Sequence, residues 1–522
     1  MISELQLRLE PAIAYNNLRL KATVSTRLGI DANRINDIIV TRRSIDARQR
    51  MVMINISLKV YIDESAPEHP LFTPIEYKPL GNGAKQAIIV GAGPAGLFAA
   101  LRLIELNIRP IVLERGKDVD ARRVDMAKIA REGIVNPDSN YCFGEGGAGA
   151  FSDGKLYTRS KKRGPVDKIL KVFHQHGAQE SILIDAHPHI GTDRLPIVIK
   201  EMRHTIEKCG GQVLFQTRAN SIILNSNNEA IGVTTANGLE FHGPVILATG
   251  HSARDVYSML LDSGVELQAK GIAVGVRLEH PQHLIDCIQY HSRNGRGKYL
   301  PPAEYSMLTR VDNRAVYSFC MCPGGVIIPA ASSPGEMVVN GMSSSSRGSR
   351  WANSGMVVEV LPEDINGDDP LRMMHFQQSI EKRFFEESGN SQNAPAQRMT
   401  DFVNSRSSKT LPDSSYAPGI HPARIDHLLP KPIAYRLQKG FAEFGRKQKG
   451  FLSDDAILVG DETRTSAPVR IPRNPDTLAS QNIKGLFPCG EGAGYAGGIA
   501  SAAIDGERCA EALANYLNAQ VD

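Results

Sequence analysis

Residues 86–114 read QAIIVGAGPAGLFAALRLIELNIRPIVLE (Gln86–Glu114), and the character of the chain follows from this stretch. Ala87-Ile88-Ile89-Val90 is a short apolar run of the kind that forms a buried parallel strand. It turns through Gly91-Ala92-Gly93-Pro94-Ala95-Gly96 into a helical pattern. Gly91 permits a tight turn, Gly93 lets backbone approach a pyrophosphate, and Gly96 allows helix and strand to touch. The helix N-terminus then offers free N–H groups and a partial positive charge. A second apolar strand, Ile111-Val112-Leu113, ends in Glu114 and Arg115. An acid there accepts hydrogen bonds from an adenosine ribose and disfavours a 2′-phosphate, so FAD or NAD is expected rather than NADP. An ordinary strand–helix–strand unit would leave three glycines and Glu114 without a purpose. Gly91, Gly93, Pro94, Ala95, Gly96, Glu114 and Arg115 therefore form the first set of expected cofactor contacts.

The chain has 522 residues, 42% of them hydrophobic and 22% charged, with a net charge of +4. That length holds roughly two to four globular domains. Seven scattered cysteines make no disulfide framework and fit a reducing compartment. The N-terminal MISELQLRLE carries acids where a signal peptide needs an apolar run. The most apolar region, 86–106, is broken by Gly, Pro, Arg102 and Glu105, too polar for a membrane span. A cytoplasmic protein is expected.

Residues 1–65 read as a small α/β domain. Val52, Ile54, Ile56, Leu58 and Val60 alternate with polar residues as in a half-buried strand, and a helical candidate lies near Asp31–Asp37. Arg42, Arg43, Arg48 and Arg50 cluster between them. Such a run could hold phosphate or RNA. It fits equally a solvated strand edge or a domain contact, and that reading is preferred because no aromatic stacking pattern accompanies it. Residues 66–85, with four prolines and Gly81-Asn82-Gly83, read as a linker.

A cofactor-binding domain begins at 86 and its first part runs to 264. Within it, YCFGEGGAGAFSDGKLY (Tyr141–Tyr157) has five glycines from Gly144 to Gly154, which let backbone lie flat against a planar ligand. Gly146, Gly147, Ser152, Gly154 and Lys155 are expected there as contacts. His187 and His189 lack a third ligand at suitable spacing and read as loop residues, so no metal site is expected. Thr192 and Asp193 are placed to cap a helix reaching Cys209. Three alternating segments, 222–224, 231–235 and 240–242, then suggest a β-meander, and Val245–Leu247 returns to the sheet ahead of Ala248-Thr249-Gly250.

Residues 265–450 differ in composition and read as an inserted, substrate-facing α+β domain, with strands expected at 271–278, 316–322 and 337–342 and a short helix at 281–290. Cys320 and Cys322 form a C-x-C that could serve as a flavin-linked redox pair, although that spacing strains a disulfide. The second part of the cofactor domain spans 451–522. Gly485–Cys489 is a strand that ends in Gly490-Glu491, and glycines then lead into a helix from Ile499 to Leu517. Gly490, Glu491, Gly498, Ile499 and Ala500 are expected at the ribityl chain and the ring edge, where a helix N-terminus stabilises negative charge.

GAGPAG (91–96), FGEGGAGAFSDGKL (143–156), ATGHSARD (248–255), CMCPGG (320–325), TRTSAPVRIPR (463–473) and GLFPCGEGAGYAGGIASAAIDG (485–506), with the N-terminal RRSIDAR, together resemble a bacterial group of FAD-dependent dehydrogenases described mostly as uncharacterised FAD-utilising proteins. The resemblance implies an α/β fold with a glutathione-reductase-like FAD-binding domain. It also implies FAD contacts at Gly91, Gly93, Gly96, Glu114, Gly250 and Glu491. Glu491 departs from the aspartate of many related flavoproteins.

A flavin brings the redox chemistry, so substrate handling falls to side chains beside it. His251 is a candidate proton donor with a pKa near neutrality, or else a structural hydrogen-bonding group. Arg464 and Arg470 are candidates to clamp a carboxylate or to stabilise flavin charge, or else they pair with Asp461 or Glu462. Beyond the glycines already assigned to the flavin, no further GxGxxG follows a strand. Electrons then come from the substrate, from a nicotinamide bound transiently at the flavin, or from a protein donor. The expected function is an FAD-dependent oxidoreductase acting on a small organic molecule. The alternatives are an RNA-modifying flavoenzyme anchored by the arginine segment and a non-catalytic flavin-binding protein.

Overall fold

The computed structural model describes residues 1–157 and 164–519. At its centre a five-stranded parallel sheet runs in the order Leu486–Pro488, Val245–Leu247, Gln86–Val90, Arg109–Leu113, Gln212–Leu214. Its middle strands are apolar on both faces because helices cover one and the strands of a β-meander the other, so Ile88, Ile89 and Val112 are fully buried. Pro94–Glu105 and Ile499–Ala519 pack side by side on one face. Their contact depends on a glycine, since a Cβ at Gly506 would occupy the carbonyl oxygen of Ala95.

The meander forms as expected: Ala219–Leu224, Ala230–Thr235 and Glu240–His242 make a three-stranded antiparallel sheet. The larger sheet has seven strands, in the order Leu308–Val311, Arg314–Cys322, Trp351–Val360, Ile272–Pro281, Ile457–Glu462, Ala394–Arg398, Ile420–Pro422. Helices Arg372–Glu387 and Lys431–Lys447 contribute to its core through Ile380, Phe384, Leu437, Phe441 and Phe444. Strands at 272–281, 314–322 and 339–342 and the helix Gln282–Gln289 match the reading. The strand Trp351–Val360 carries no period-two signal in the sequence, because its burial on both faces leaves no alternation. Ile457–Glu462, read as part of the cofactor lobe, pairs instead with Ile272–Pro281 and Ala394–Arg398.

Residues 1–62 form a three-stranded antiparallel sheet with Met53–Ile62 in the middle and the helix Asn17–Leu28 supplying Leu20 and Val24 to its core. The helical candidate at 31–37 is only a short turn, Ala32–Arg34; the real helix lies earlier, capped by Asn16, which accepts from the Arg19 N–H at 3.1 Å. The arginine segment lies on the edge strand Ile35–Asp46 and the turn after it. Arg43 donates to Asp185 at 2.8 Å, and Arg48 to Asp46 at 2.8 and 2.9 Å. The segment 66–85 contains no helix or strand.

One expected cap is absent. Asp193 does not cap the helix Leu195–Lys208; its carboxylate accepts from the N–H and hydroxyl of Ser345, at 2.6 and 2.7 Å. The asparate thus ties the cofactor lobe to the loop before Trp351. No helix among the described residues is long and apolar enough to cross a membrane.

Candidate functional site

A cavity of about 360 Å³ opens at the C-terminal ends of the parallel strands, where Val90 and Leu113 end their strands and line its wall. Open α/β sheets bind ligands at this edge, and the volume falls in the usual range for such sites. The turn contributes Gly91, Gly93, Pro94 and Ala95, and the next strand Glu114 and Arg115. Gly147, Ser152, Gly154 and Lys155 come from the glycine-rich loop, Ala248, Thr249 and Gly250 from the strand after the meander. Glu491, Gly498 and Ile499 arrive from the C-terminal segment. Five stretches spread over about 400 positions of the sequence thus converge on one space, and each carries residues that the sequence marks as cofactor-facing.

The glycines show what the space is for. Gly91 has φ +106°, and a Cβ there would collide with the carbonyl of Ala248. A Cβ on Gly93 would meet only the α-carbon of Gly147, at 4.0 Å, so turn and loop form a cradle of backbone. Gly250 and Gly498 have nothing within 4 Å of a built Cβ, which leaves open room on both sides. A flat ligand with a pyrophosphate fits such walls, because they offer N–H groups and no side chains.

Glu114 is more heavily used than its sequence position suggests. Its carboxylate accepts from the backbone N–H groups of Ala92 (2.9 Å), Gly116 (2.9 Å) and Gly144 (3.0 Å). A carboxylate offers roughly four acceptor positions. Three therefore lock the turn, the strand end and the glycine-rich loop together, and one remains open. Arg115 donates to Asp138 and Asp255 and lies 4.3 Å over the Phe143 ring. Behind them Arg122, fully buried, donates to the carbonyls of Asn140 (2.7 Å), Tyr141 (2.9 Å) and Glu145 (2.8 Å) and so shapes the loop that enters the cavity.

Four expected contacts do not line the cavity. Gly96 sits where a Cβ would strike the carbonyl of Gly91, so its part is helix packing. Gly146 donates its N–H to the carbonyl of Ala92 at 2.8 Å and is walled in by Ile199. Gly490 donates to Asp505 at 2.7 Å, and Asp505 is itself gripped by Arg473 at 2.9 and 2.6 Å. Ala500 is buried in the first turn of its helix, behind Ile499. The Cys489–Asp505–Cys509 group is the one arrangement of metal-ligand type among the described residues, and the Arg473 guanidinium already occupies its charge.

The three candidates for substrate chemistry fare differently. His251 lines the cavity, with Nε2 3.9 Å from Glu491 and Nδ1 without a hydrogen-bond partner. Burial, with Arg464, Lys270 and Arg254 nearby, pushes its pKa down to about 4 rather than leaving it near neutrality. It is a neutral imidazole at physiological pH, an acceptor or a neutral donor, not an imidazolium acid. Arg464 also lines the wall, but its guanidinium is held by Glu381 at 3.1 and 2.9 Å, Glu336 at 3.0 Å and the Ser332 hydroxyl. Its partners are thus Glu336 and Glu381, not Asp461 or Glu462. Arg470 is exposed outside the cavity, its guanidinium 5.5 Å from the Tyr495 ring.

Glu491 stands at the cavity wall with its carboxyl pushed up to about 7 by burial. A carboxyl poised there exchanges a proton in the physiological range. Residues without a sequence signal also line the space: Thr217 and Arg218 after the strand Gln212–Leu214, and Phe319 and Asn340 from the domain of the seven-stranded sheet. No local pattern marks them; the sheet order alone carries them there.

The fold and this site define an α/β protein that grips a dinucleotide cofactor at the edge of a parallel sheet and covers it with a second, mainly antiparallel domain. Residues 271–465 match the family described as FAD-dependent protein, C-terminal domain-like, and residues 1–61 match a domain of unknown function (DUF8436). An uncharacterized protein of Clostridium beijerinckii is 40% identical over 532 residues, covering 96% of this chain and 98% of its own. The chain belongs to this bacterial family of FAD-dependent proteins, and its cofactor is FAD.

Among solved structures, a geranylgeranyl bacteriochlorophyll reductase-like protein from Thermoplasma acidophilum is 13% identical over 84% of this chain and 80% of its own, with a TM-score of 0.35. The 3-ketosteroid-delta4-(5alpha)-dehydrogenase of Rhodococcus jostii is 12% identical over 84% and 99%, with a TM-score of 0.34. Likeness at this level says nothing about substrate.

Proposed function

We propose that the protein is an FAD-dependent oxidoreductase that moves a hydride between flavin N5 and a small organic substrate. The observation that carries this reading is the continuity of one cavity from the phosphate turn at Gly91–Gly93 to Phe319, Cys320 and Asn340 of the seven-stranded domain. A cofactor lobe of glutathione-reductase type in two parts, an inserted substrate-facing domain and a separate N-terminal unit belong to the same reading. When bound, FAD supplies the electron pair chemistry. The chain's own residues hold and tune it. Gly93 and the first free N–H groups of the helix that begins at Pro94 bind phosphate, and Gly91, its own N–H donated to the Leu113 carbonyl, makes the turn that presents them. Glu114 orients the ribose, and the N-terminus of Ile499–Ala519 favours negative charge beside Gly498. Glu491 holds or releases a proton at its carboxyl near neutral pH.

RNA modification is not favoured, because Arg43 is engaged with Asp185 and Arg48 with Asp46. The test is the visible spectrum of the purified protein before and after anaerobic NADH or NADPH. Flavin bands that bleach mark a nicotinamide-driven reductase. Bands that persist mark a dehydrogenase reduced by its own substrate. No flavin bands after reconstitution with FAD would end the proposal.

A further inference from the structure

We propose that Cys320 and Cys322 form a redox-active dithiol that exchanges an electron pair with the bound flavin. The inference rests on the FAD reading above and adds a second redox centre to it.

Cys320 lines the same cavity as Gly91 and Glu491, and Cys322 is fully buried behind it. The backbone pays for this placement. Cys320 has φ +46°, a left-handed conformation that a non-glycine residue rarely adopts, and the pairing of its strand with Trp351–Val360 shifts register between Phe319 and Cys322. A bulge of this kind turns a side chain away from the course of its strand, and strain kept at a site is a pointer to function. The Cys322 thiol donates to the Cys320 carbonyl at 3.4 Å, which holds the two cysteines side by side.

The surroundings favour a thiolate. Arg277, fully buried, donates to the Cys320 carbonyl at 2.8 Å and to the Cys322 sulfur at 3.4 Å. The ammonium of Lys155 lines the same wall, carries no hydrogen bond, and lies 3.6 Å from Asp153. Asp153 is already paired with Arg347 at 3.1 and 2.6 Å, so Lys155 retains attraction for a second anion. The neighbouring thiol lowers the pKa of Cys320 and raises that of Cys322; burial opposes the ionisation of both, and Lys155 and Arg277 promote it. Cys320 is therefore the thiol that ionises first, and a thiolate is the reactive form.

The step balances without an outside reagent. A thiolate and a thiol close an S–S bond, releasing one proton and two electrons, and oxidised FAD takes up all three to become anionic reduced flavin. The reverse opens the disulfide. A C-x-C disulfide is strained and so easily reduced, which suits a relay rather than a structural cross-link.

Purified holoenzyme, its flavin content read from absorbance, is titrated anaerobically with dithionite after exposure to ferricyanide. Expected is uptake of two electron pairs per flavin by the wild type and one by Cys320→Ser and Cys322→Ser. A wild type that accepts one pair overturns the dithiol. A second readout needs neither variant nor flavin: alkylation of the oxidised, denatured protein, followed by peptide mass spectrometry. Five of the seven cysteines should react, with 320 and 322 recovered as a disulfide. Seven alkylated cysteines overturn the proposal, whereas this disulfide in a protein that never binds flavin overturns only its coupling to FAD.

Discussion

Glu381 holds Arg464 in a two-pronged ion pair, at 3.1 and 2.9 Å, and in the same plane of contacts accepts from Arg254 at 2.8 Å. With Glu336 these groups make a buried quartet of two arginines and two glutamates that joins the helix Arg372–Glu387 to the cavity wall. Two charges of each sign cancel, which is what makes the burial tolerable.

Glu381→Ala should therefore destabilise the protein by about 3–5 kcal/mol, because it leaves two buried guanidinium groups with the single carboxylate of Glu336 between them. A fall in the urea midpoint reads it. The effect depends on pH. Burial pushes the Glu381 carboxyl up, but Arg254 and Arg464 overcome this and hold it down to about 2. A carboxyl whose pKa is lower when folded contributes stability above its unfolded value and loses it as pH falls. The wild type should thus lose stability between about pH 4.5 and 2, and Glu381→Ala should lose less there. Parallel pH curves for the two proteins would refute the assignment.

Gly91→Ala and Gly250→Ala should separate. Both positions have positive φ, +106° and +70°, but only at Gly91 does a Cβ meet backbone. Gly91→Ala should lower both melting temperature and flavin content. Gly250→Ala carries only the left-handed penalty of about 1–2 kcal/mol and projects a methyl into open space. Its flavin content should fall more than its stability, as read by absorbance beside calorimetry.

His251→Gln should leave the pH–rate profile of the enzyme unchanged between pH 6 and 8, since a histidine held down to about 4 does not titrate there. The sign for stability is opposite to that of a paired histidine. The folded pKa lies below the unfolded one, so the unfolded chain binds the proton first and stability falls as pH drops from about 6.5 toward 4. Removing His251 should flatten that part of the curve. His280 shares the behaviour, also lowered to about 4 by burial, and remains as an internal reference.

Neutralising Arg42, Arg43, Arg48 and Arg50 together should not alter RNA retention in a filter assay at any salt concentration. It should raise amide hydrogen exchange in residues 1–61, because the Arg43–Asp185 pair is lost. Salt-dependent RNA binding that disappears in this variant would reverse the reading of the segment.

The dinucleotide grip, the meander, the glycine-rich loop and the final strand–turn–helix are set by local sequence. Each rests on a short-range requirement: a turn that only glycine can make, an acid that ends a strand, an alternation of period two. Tertiary structure alone decided the rest. That Ile457–Glu462 joins the larger sheet and not the cofactor sheet depends on partners about 60 and about 180 positions away, and an apolar run looks the same in either. Glycines 96, 146 and 490 fit the ligand pattern yet serve packing, because what a missing Cβ makes room for is visible only when the neighbour is in place. Arg464 finds Glu336 and Glu381 across 128 and 83 residues, while the adjacent Asp461 and Glu462 lie in a strand that turns them elsewhere. Local chemistry is written along the chain, but partnership between charges is a property of distance, and distance exists only once the sheets have closed.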